Sequence, residues 1–252
     1  MTAFYDSSPH LSSPHGAFRR EGGVSTGIYE GLNASYHSGD DRQAVDENRR
    51  RIREALGADH LIAAKQVHSA KVVIADALWK EEDRPEADAI VTTKPGLAVG
   101  VLTADCVPIL FEAEGMVAAA HAGWRGSLLG IIGNTVDRMA KLGAERAAIR
   151  ALIGAHLRGE SFEVKEDLIE QVLAAYPDAE RHFYAKDGKT FYDHTGFVLD
   201  RLREAGIEES RIVDLGGDTL AEPDRYFSYR ASQRRGEPKT GHNMTAICLP
   251  KE

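Results

Sequence analysis

Apolar residues occur in this chain either as short unbroken runs or at helical spacing, and the two patterns divide it into strands and helices. Asp40-Asp41 precedes a charged amphipathic stretch over 42–56 closed by Gly57, which predicts a helix with an acidic start and a glycine stop. Residues 71–74 and 97–102 read as strands, and the runs at 107–111 and 116–120 enclose 112–115 in the pattern of a hairpin. Leu128, Ile131, Ile132, Val136 and Met139 recur at helical spacing up to Gly143 and predict one helix. A strand over 148–153, helices over 163–175 and 195–205, and strands at 212–213, 226–229 and 244–249 complete the pattern. The start of the chain is rich in Ser, Pro, His and Gly and reads as loop. Strands and helices mix without strict alternation. The expected architecture is therefore an α/β or α+β mixed sheet, with a loop segment over 1–22 and a single domain over 23–252.

Composition narrows the function classes. A chain of 252 residues supports a sizeable core, and its net charge of −8, with no Lys/Arg block, argues against a nucleic-acid or anionic-membrane surface. A local basic pocket for phosphate stays compatible with that balance. Cys106 and Cys248 stand far apart and form no disulfide framework, which points to a reducing compartment. The first residues lack the regions of a signal peptide, and no apolar stretch reaches the length of a membrane span. These features describe a soluble, cytoplasmic protein.

Three segments carry candidate chemistry: Lys65-Gln66-Val67-His68-Ser69, Thr103-Ala104-Asp105-Cys106-Val107-Pro108 and His121-Ala122-Gly123-Trp124-Arg125-Gly126. Each places one metal-type ligand at the end of an apolar run, where a strand delivers a side chain to the rim of a sheet. One thiolate and two imidazoles make a three-ligand zinc site with an open position, the catalytic arrangement. The same atoms also fit a metal-free Cys–His nucleophile pair, and Cys106 taken alone reads first as a buried small hydrophobe, a reading its neighbours Asp105 and Pro108 weaken. The spacings of 38 and 15 positions match no local zinc motif. Pro108 marks a bend beside Cys106. Arg125 stands at a helix entrance, where it suits an anion. Asp187-Gly188-Lys189-Thr190 ends like a P-loop, but Phe183 stands where the first glycine belongs, so it reads as a turn. No His-x-His pair is present, so ligands for a multicopper centre are scarce.

Taken in order, these three segments follow Gly31-Leu32-Asn33-Ala34-Ser35-Tyr36-His37, Gly39-Asp40-Asp41 and Glu47-Asn48-Arg49, and precede Phe227-Ser228-Tyr229-Arg230 and Thr240-Gly241. The set resembles the laccase-domain family, formerly labelled multicopper polyphenol oxidoreductase, from about Gly22 to Leu249. Its members are described as zinc-containing purine nucleoside phosphorylases that also deaminate adenosine. The resemblance implies His68, Cys106 and His121 as zinc ligands, and a fold similar to that of cysteine-dependent toxin deamidases. It implies a nucleoside (adenosine, inosine, guanosine or methylthioadenosine) and phosphate as partners, in a monomer or small homo-oligomer. Arg125 is then the first choice for phosphate, with Lys65 and Arg230 behind it. Asn33 would orient a hydroxyl or base edge. Asp105 would orient a ligand histidine or carry a proton. Two departures from the family pattern stand out: Ile153-Gly154 is followed by Ala155-His156 where a proline and a nearby cysteine are usual, and Asp218-Thr219 replaces a Cys-Thr pair. Three readings remain open at this point: the phosphorylase, a Cys–His hydrolase or amidase acting in peptidoglycan editing, and a non-catalytic pocket protein.

Overall fold

The computed structural model describes residues 4–251. Its strands are β1 (Tyr5–Asp6), β2 (His15–Phe18), β3 (His60–Ile62), β4 (Val72–Ile74), β5 (Ala89–Thr92), β6 (Leu97–Thr103), β7 (Val107–Ala113), β8 (Met116–Ala122), β9 (Arg150–Ile153), β10 (Glu163–Val164), β11 (Phe183–Lys186), β12 (Lys189–Tyr192), β13 (Ile212–Asp214) and β14 (Asn243–Cys248). The α-helices are α1 (Arg42–Ala55), α2 (Trp124–Leu128), α3 (Ile131–Lys141), α4 (Glu166–Ala175), α5 (His194–Glu204) and α6 (Tyr229–Arg234). One sheet has the order β1-β2-β14-β6-β3, a second β13-β9-β7-β8-β5-β4, and a small third β10-β12-β11. The two large sheets are mixed: β3–β6, β4–β5 and β13–β9 pair in parallel and the other pairs are antiparallel.

The alternation of side chains along a strand explains why the apolar runs are unbroken. In β8, Met116, Ala118, Ala120 and Ala122 pack with Ile131, Ile132, Val136 and Met139 of α3 and with Val198 and Leu202 of α5. Val117 and Ala119, pointing the other way, pack with Leu97, Val99 and Val101 of β6. On the far face of β6, Ala98 and Leu102 meet Ile52 of α1. The order is thus helices, sheet, sheet, helix. Each central strand is covered on both faces, which removes the polar half of the usual period-two pattern.

Several sequence expectations change. The loop expected over 1–22 contains β1 and β2, and β2 joins the first sheet with Ala17 opposite Thr245. Its four residues are too few to show a period. The helix expected through Leu128 and Met139 is two helices, because Gly130 takes a left-handed φ of 91° between them. No strand forms at 226–229. The Asn243 side chain bonds both Phe227 N and Phe227 O, taking the place of a ladder, and Ser228 caps α6. Asp187 and Gly188 form the left-handed two-residue turn between β11 and β12, as expected of a turn and not of a phosphate loop.

Candidate active site

His68 lies on the crossover from β3 in the first sheet to β4 in the second, and Cys106 on the corner from β6 in the first sheet to β7 in the second. His121 is near the end of β8, opposite Pro108. The chain thus brings three distant positions to one rim. Among the described residues, their ligand atoms all lie within 4.8 Å of one another and form the one group of three or more His, Cys or acidic side chains that could hold a metal ion. Cys106 Sγ is 3.9 Å from His68 Nε2, and the His68 and His121 rings meet edge to face at 4.8 Å.

Asp88, directly before β5 and 1% exposed, organises two of the three ligands. Its Oδ1 accepts from His68 N at 3.0 Å and faces His121 Nδ1 at 2.8 Å. Its Oδ2 accepts from Ser69 N at 2.6 Å and Ser69 Oγ at 2.8 Å. Burial pushes the Asp88 carboxyl up, but bonds from His121 and Ser69 outweigh it and hold it at about 2. A carboxylate on Nδ1 fixes the His121 ring and leaves Nε2 for the cluster, the usual support of a metal-bound histidine. Sequence reading missed Asp88. The signal was slight: one acidic residue between Ala87 and Ala89, at the head of a buried run.

Asp105 has a different task. Its Oδ1 accepts from Thr219 Oγ1 and its Oδ2 from Arg230 N, both at 2.7 Å, while its carbonyl accepts from Leu157 N. These bonds hold the residue before Cys106 at φ 94°, a left-handed conformation that a side chain rarely takes; His68 has φ 57°. Two of the three non-glycine residues with positive φ among those described thus flank or form the cluster. Backbone strain placed there fixes side-chain direction. Gly123 answers the same crowding, because a Cβ on it would lie 3.0 Å from His68 Cδ2 and 3.1 Å from Cys106 Sγ.

Burial opposes ionisation of Cys106, yet the charge and hydrogen bonds of His121 and His68 prevail and lower the thiol to about 6. Burial likewise opposes protonation of His121, but the thiolate and Asp88 raise it to about 9. Each group thus favours the charged form of the other. A ready thiolate, two imidazoles and a carboxylate behind one ring are a donor set that fits zinc-type coordination.

Two cavities meet at Cys106. The first, about 620 Å³, is lined by Trp124, Phe162, His194 and Tyr229, with Arg125 and Arg230 but also Asp105, Glu163 and Asp167 on its walls. The second, about 540 Å³, reaches all three ligands and is lined by His37, Lys65 and Arg84, with no carboxylate among its lining residues. Tyr229 is 56% exposed and borders both. Of the expected substrate contacts, Arg125 stacks on its neighbour Trp124 at 4.6 Å. Arg230 lies over Phe162 and donates to Glu163 O at 2.7 Å. Lys65 pairs with Glu86 at 2.9 Å on the surface. Asn33 is fully buried, and both ends of its amide are occupied by Ser38, Asp40, Ser35 N and His242 N, so it shapes the loop and lines neither cavity. Arg84, which sequence reading did not single out, joins the second cavity.

The two departures from the family pattern bond to each other. Thr219 N donates to His156 O, and Ser161 Oγ donates to Asp218. His156 Nε2 meets Thr195 Oγ1 at 2.7 Å. Their link to the site is indirect, through Thr219 and the Asp105 carboxylate.

Over residues 14–250 the sequence matches the family described as multi-copper polyphenol oxidoreductase laccase. A purine nucleoside phosphorylase of Deinococcus radiodurans is 38% identical, covering 97% of this chain and 92% of its own. One from Corynebacterium glutamicum is 36% identical over 92% of this chain and 93% of its own. Among solved structures, YlmD from Geobacillus stearothermophilus superposes with a TM-score of 0.86 at 25% identity, covering 98% of this chain and 99% of that one. A Neisseria meningitidis protein gives 0.84 at 31% identity over 98% of both chains. Among the described residues no helix is long and apolar enough to cross a membrane.

Proposed function

The chain belongs to the multi-copper polyphenol oxidoreductase laccase family, and we propose that it is a purine nucleoside phosphorylase whose His68, Cys106 and His121 hold one zinc ion. The observation that carries this reading is the ordered donor cluster at the meeting point of two cavities, in a chain whose curated relatives bear the phosphorylase name. One thiolate with two imidazoles suits a single ion better than the several coppers of the family's label.

In phosphorolysis the bond between ribose C1′ and the purine nitrogen breaks, with its electron pair leaving on the base. A phosphate oxygen bonds to C1′, and the proton of hydrogenphosphate ends on the purine. The reaction needs two adjoining compartments, one for a flat base and one for an anion. The aromatic first cavity suits the base. The second is the one offered to phosphate, since Lys65 and Arg84 line it and their carboxylate partners, Glu86 and Glu81, are not among its lining residues. Arg125 and Arg230, at the first cavity, stand where they meet the ribose or the phosphate edge. Asp105 holds the Cys106 corner and Asp88 holds the His121 ring, so the reacting groups approach a fixed frame. A bound zinc supplies Lewis acidity and an activated water, the chemistry that adenosine deamination at the same site requires.

A second reading is favoured by one observation, the Asp88–His121–Cys106 series. It places an orienting carboxylate, a base and a thiolate in the order of a metal-free cysteine hydrolase. One experiment separates the readings. Metal-quantified protein is incubated with adenosine or inosine and phosphate, and with amide and muropeptide substrates, before and after chelation. Free purine with ribose 1-phosphate, lost in His68→Ala, supports the phosphorylase. Amide cleavage that survives chelation and His68→Ala overturns it.

A further inference from the structure

His194, the first residue of α5, is 2% exposed and borders the first cavity. It stacks on Tyr192 at 5.4 Å and meets the Phe162 ring edge-on at 6.3 Å. Its Nε2 lies 3.1 Å from Ser127 Oγ, which belongs to α2 and is fully buried. That contact fixes the tautomer. A buried hydroxyl needs an acceptor for its proton, and among the described residues Ser127 Oγ meets no other than His194 Nε2. Ser127 therefore donates, Nε2 is the bare nitrogen, and Nδ1 carries the hydrogen. Nδ1 has no hydrogen-bond partner among the described residues, yet it is not one of the sealed, unpartnered polar atoms. Nδ1 therefore keeps some exposure, and His194 lines the first cavity.

We infer that His194 reads the purine: its Nδ1–H donates a hydrogen bond to an acceptor on the base held between Trp124, Phe162 and Tyr229 in the first cavity. This inference rests on the phosphorylase reading for its ligand class. The imidazole acts as a neutral donor, because burial first, and then the neighbouring His156, His182 and His121, oppose its protonation and lower it to about 3. A neutral donor gives no proton away. It binds the base in the ground state and binds it more strongly as the bond to ribose breaks and negative charge spreads over the ring, so it acts on both affinity and turnover. The bond also discriminates, since a base with no acceptor at that point leaves a buried N–H unpaired.

The test is a binding cycle with a kinetic companion. Inosine and three analogues lacking an acceptor at N3, O6 or N7 (3-deazainosine, purine riboside and 7-deazainosine) are titrated calorimetrically into wild type, His194→Phe and His194→Gln. Phenylalanine keeps the aromatic packing, and glutamine restores an N–H. One analogue should bind wild type about tenfold more weakly than inosine does, with the gap closed in His194→Phe and partly reopened in His194→Gln. His194→Phe should lower kcat/KM for inosine about tenfold or more while KM for phosphate stays within twofold. Equal gaps for all three analogues in wild type and His194→Phe overturn the inference. So does turnover of inosine by His194→Phe within twofold of wild type. If wild type shows the binding cycle but makes no ribose 1-phosphate, the phosphorylase reading fails and the assignment of His194 stands. Absence of inosine binding to wild type overturns both.

Discussion

Asp88→Asn changes one oxygen to an amine inside a site that accepts five hydrogen bonds, from Val67 N, His68 N, Ser69 N, Ser69 Oγ and His121 Nδ1. Whichever way the amide faces, at least two partly buried donors confront another donor, His68 N and His121 Nδ1 on one side or Val67 N and Ser69 N on the other. Each donor left unpaired costs about 1–3 kcal/mol, so the variant should lose roughly 3–5 kcal/mol of stability at pH 7. Titration gives an independent lower figure. Burial raises the carboxyl, but the bonds from His121 and Ser69 hold it near 2 against an ordinary 3.8. That difference is equivalent to about 2 kcal/mol at neutral pH. Because the folded carboxyl is the stronger acid, its contribution is complete above the unfolded value and is lost as pH falls through 2. The assay is urea unfolding of metal-stripped wild type and Asp88→Asn, followed by tryptophan fluorescence at pH 7, 5 and 3. The deficit of the variant should narrow by about 1 kcal/mol between pH 7 and pH 3. Equal midpoints at pH 7, or a deficit that ignores pH, refute the account of Asp88. The same variant should bind zinc about 10- to 100-fold more weakly in chelator competition.

Three further outcomes follow from the site. Gly123→Ala places a methyl against His68 and Cys106 and should weaken metal binding about tenfold while leaving the fold intact, read by chelator competition and circular dichroism. In metal-stripped protein Cys106 should be alkylated by iodoacetamide with a midpoint near pH 6, whereas Cys248, raised to about 11 first by burial, should stay unmodified; peptide mass spectrometry distinguishes them, and zinc should protect Cys106. Lys65→Met should raise KM for phosphate about three- to tenfold with KM for the nucleoside unchanged, because its partner Glu86 is on the surface and the cavity keeps Arg84. Steady-state kinetics varying each substrate in turn checks the last.

The three cluster residues were legible because each ends an apolar run, and the ends of adjoining strands gather at one rim. The chain-long order of motifs made the family recognisable. What supports the cluster was not legible. Asp88 stands alone between two alanines, and only the fold brings its carboxylate to residues 20 and 33 positions away. The role expected of Asp105 in orienting a histidine belongs by geometry to Asp88, since the Asp105 oxygens are taken by Thr219 and Arg230. Asn33 looked like a ligand because amides often are, yet tight turns use amides just as readily. His194 carried no spacing signal, because its partner Ser127 lies on a helix 67 positions earlier. Among the elements, β2 and the break at Gly130 escaped the pattern, since neither four residues nor a single glycine outweighs a neighbouring period.

The course of the chain between its two large sheets gives the cluster a mechanical part as well. His68 and Cys106 each sit on a segment that leaves one sheet and enters the other, and His121 sits on the second sheet itself. Sliding or parting of the sheets at this rim must first separate those three side chains. An ion shared among them would therefore add its binding energy to the cost of local opening. Amide hydrogens of the β3–β4 and β6–β7 connections should then exchange more slowly in the loaded protein, while those at the distant β11–β12 turn exchange at an unchanged rate. The group proposed to assist chemistry would also be the clasp that keeps the two cavities in register with each other.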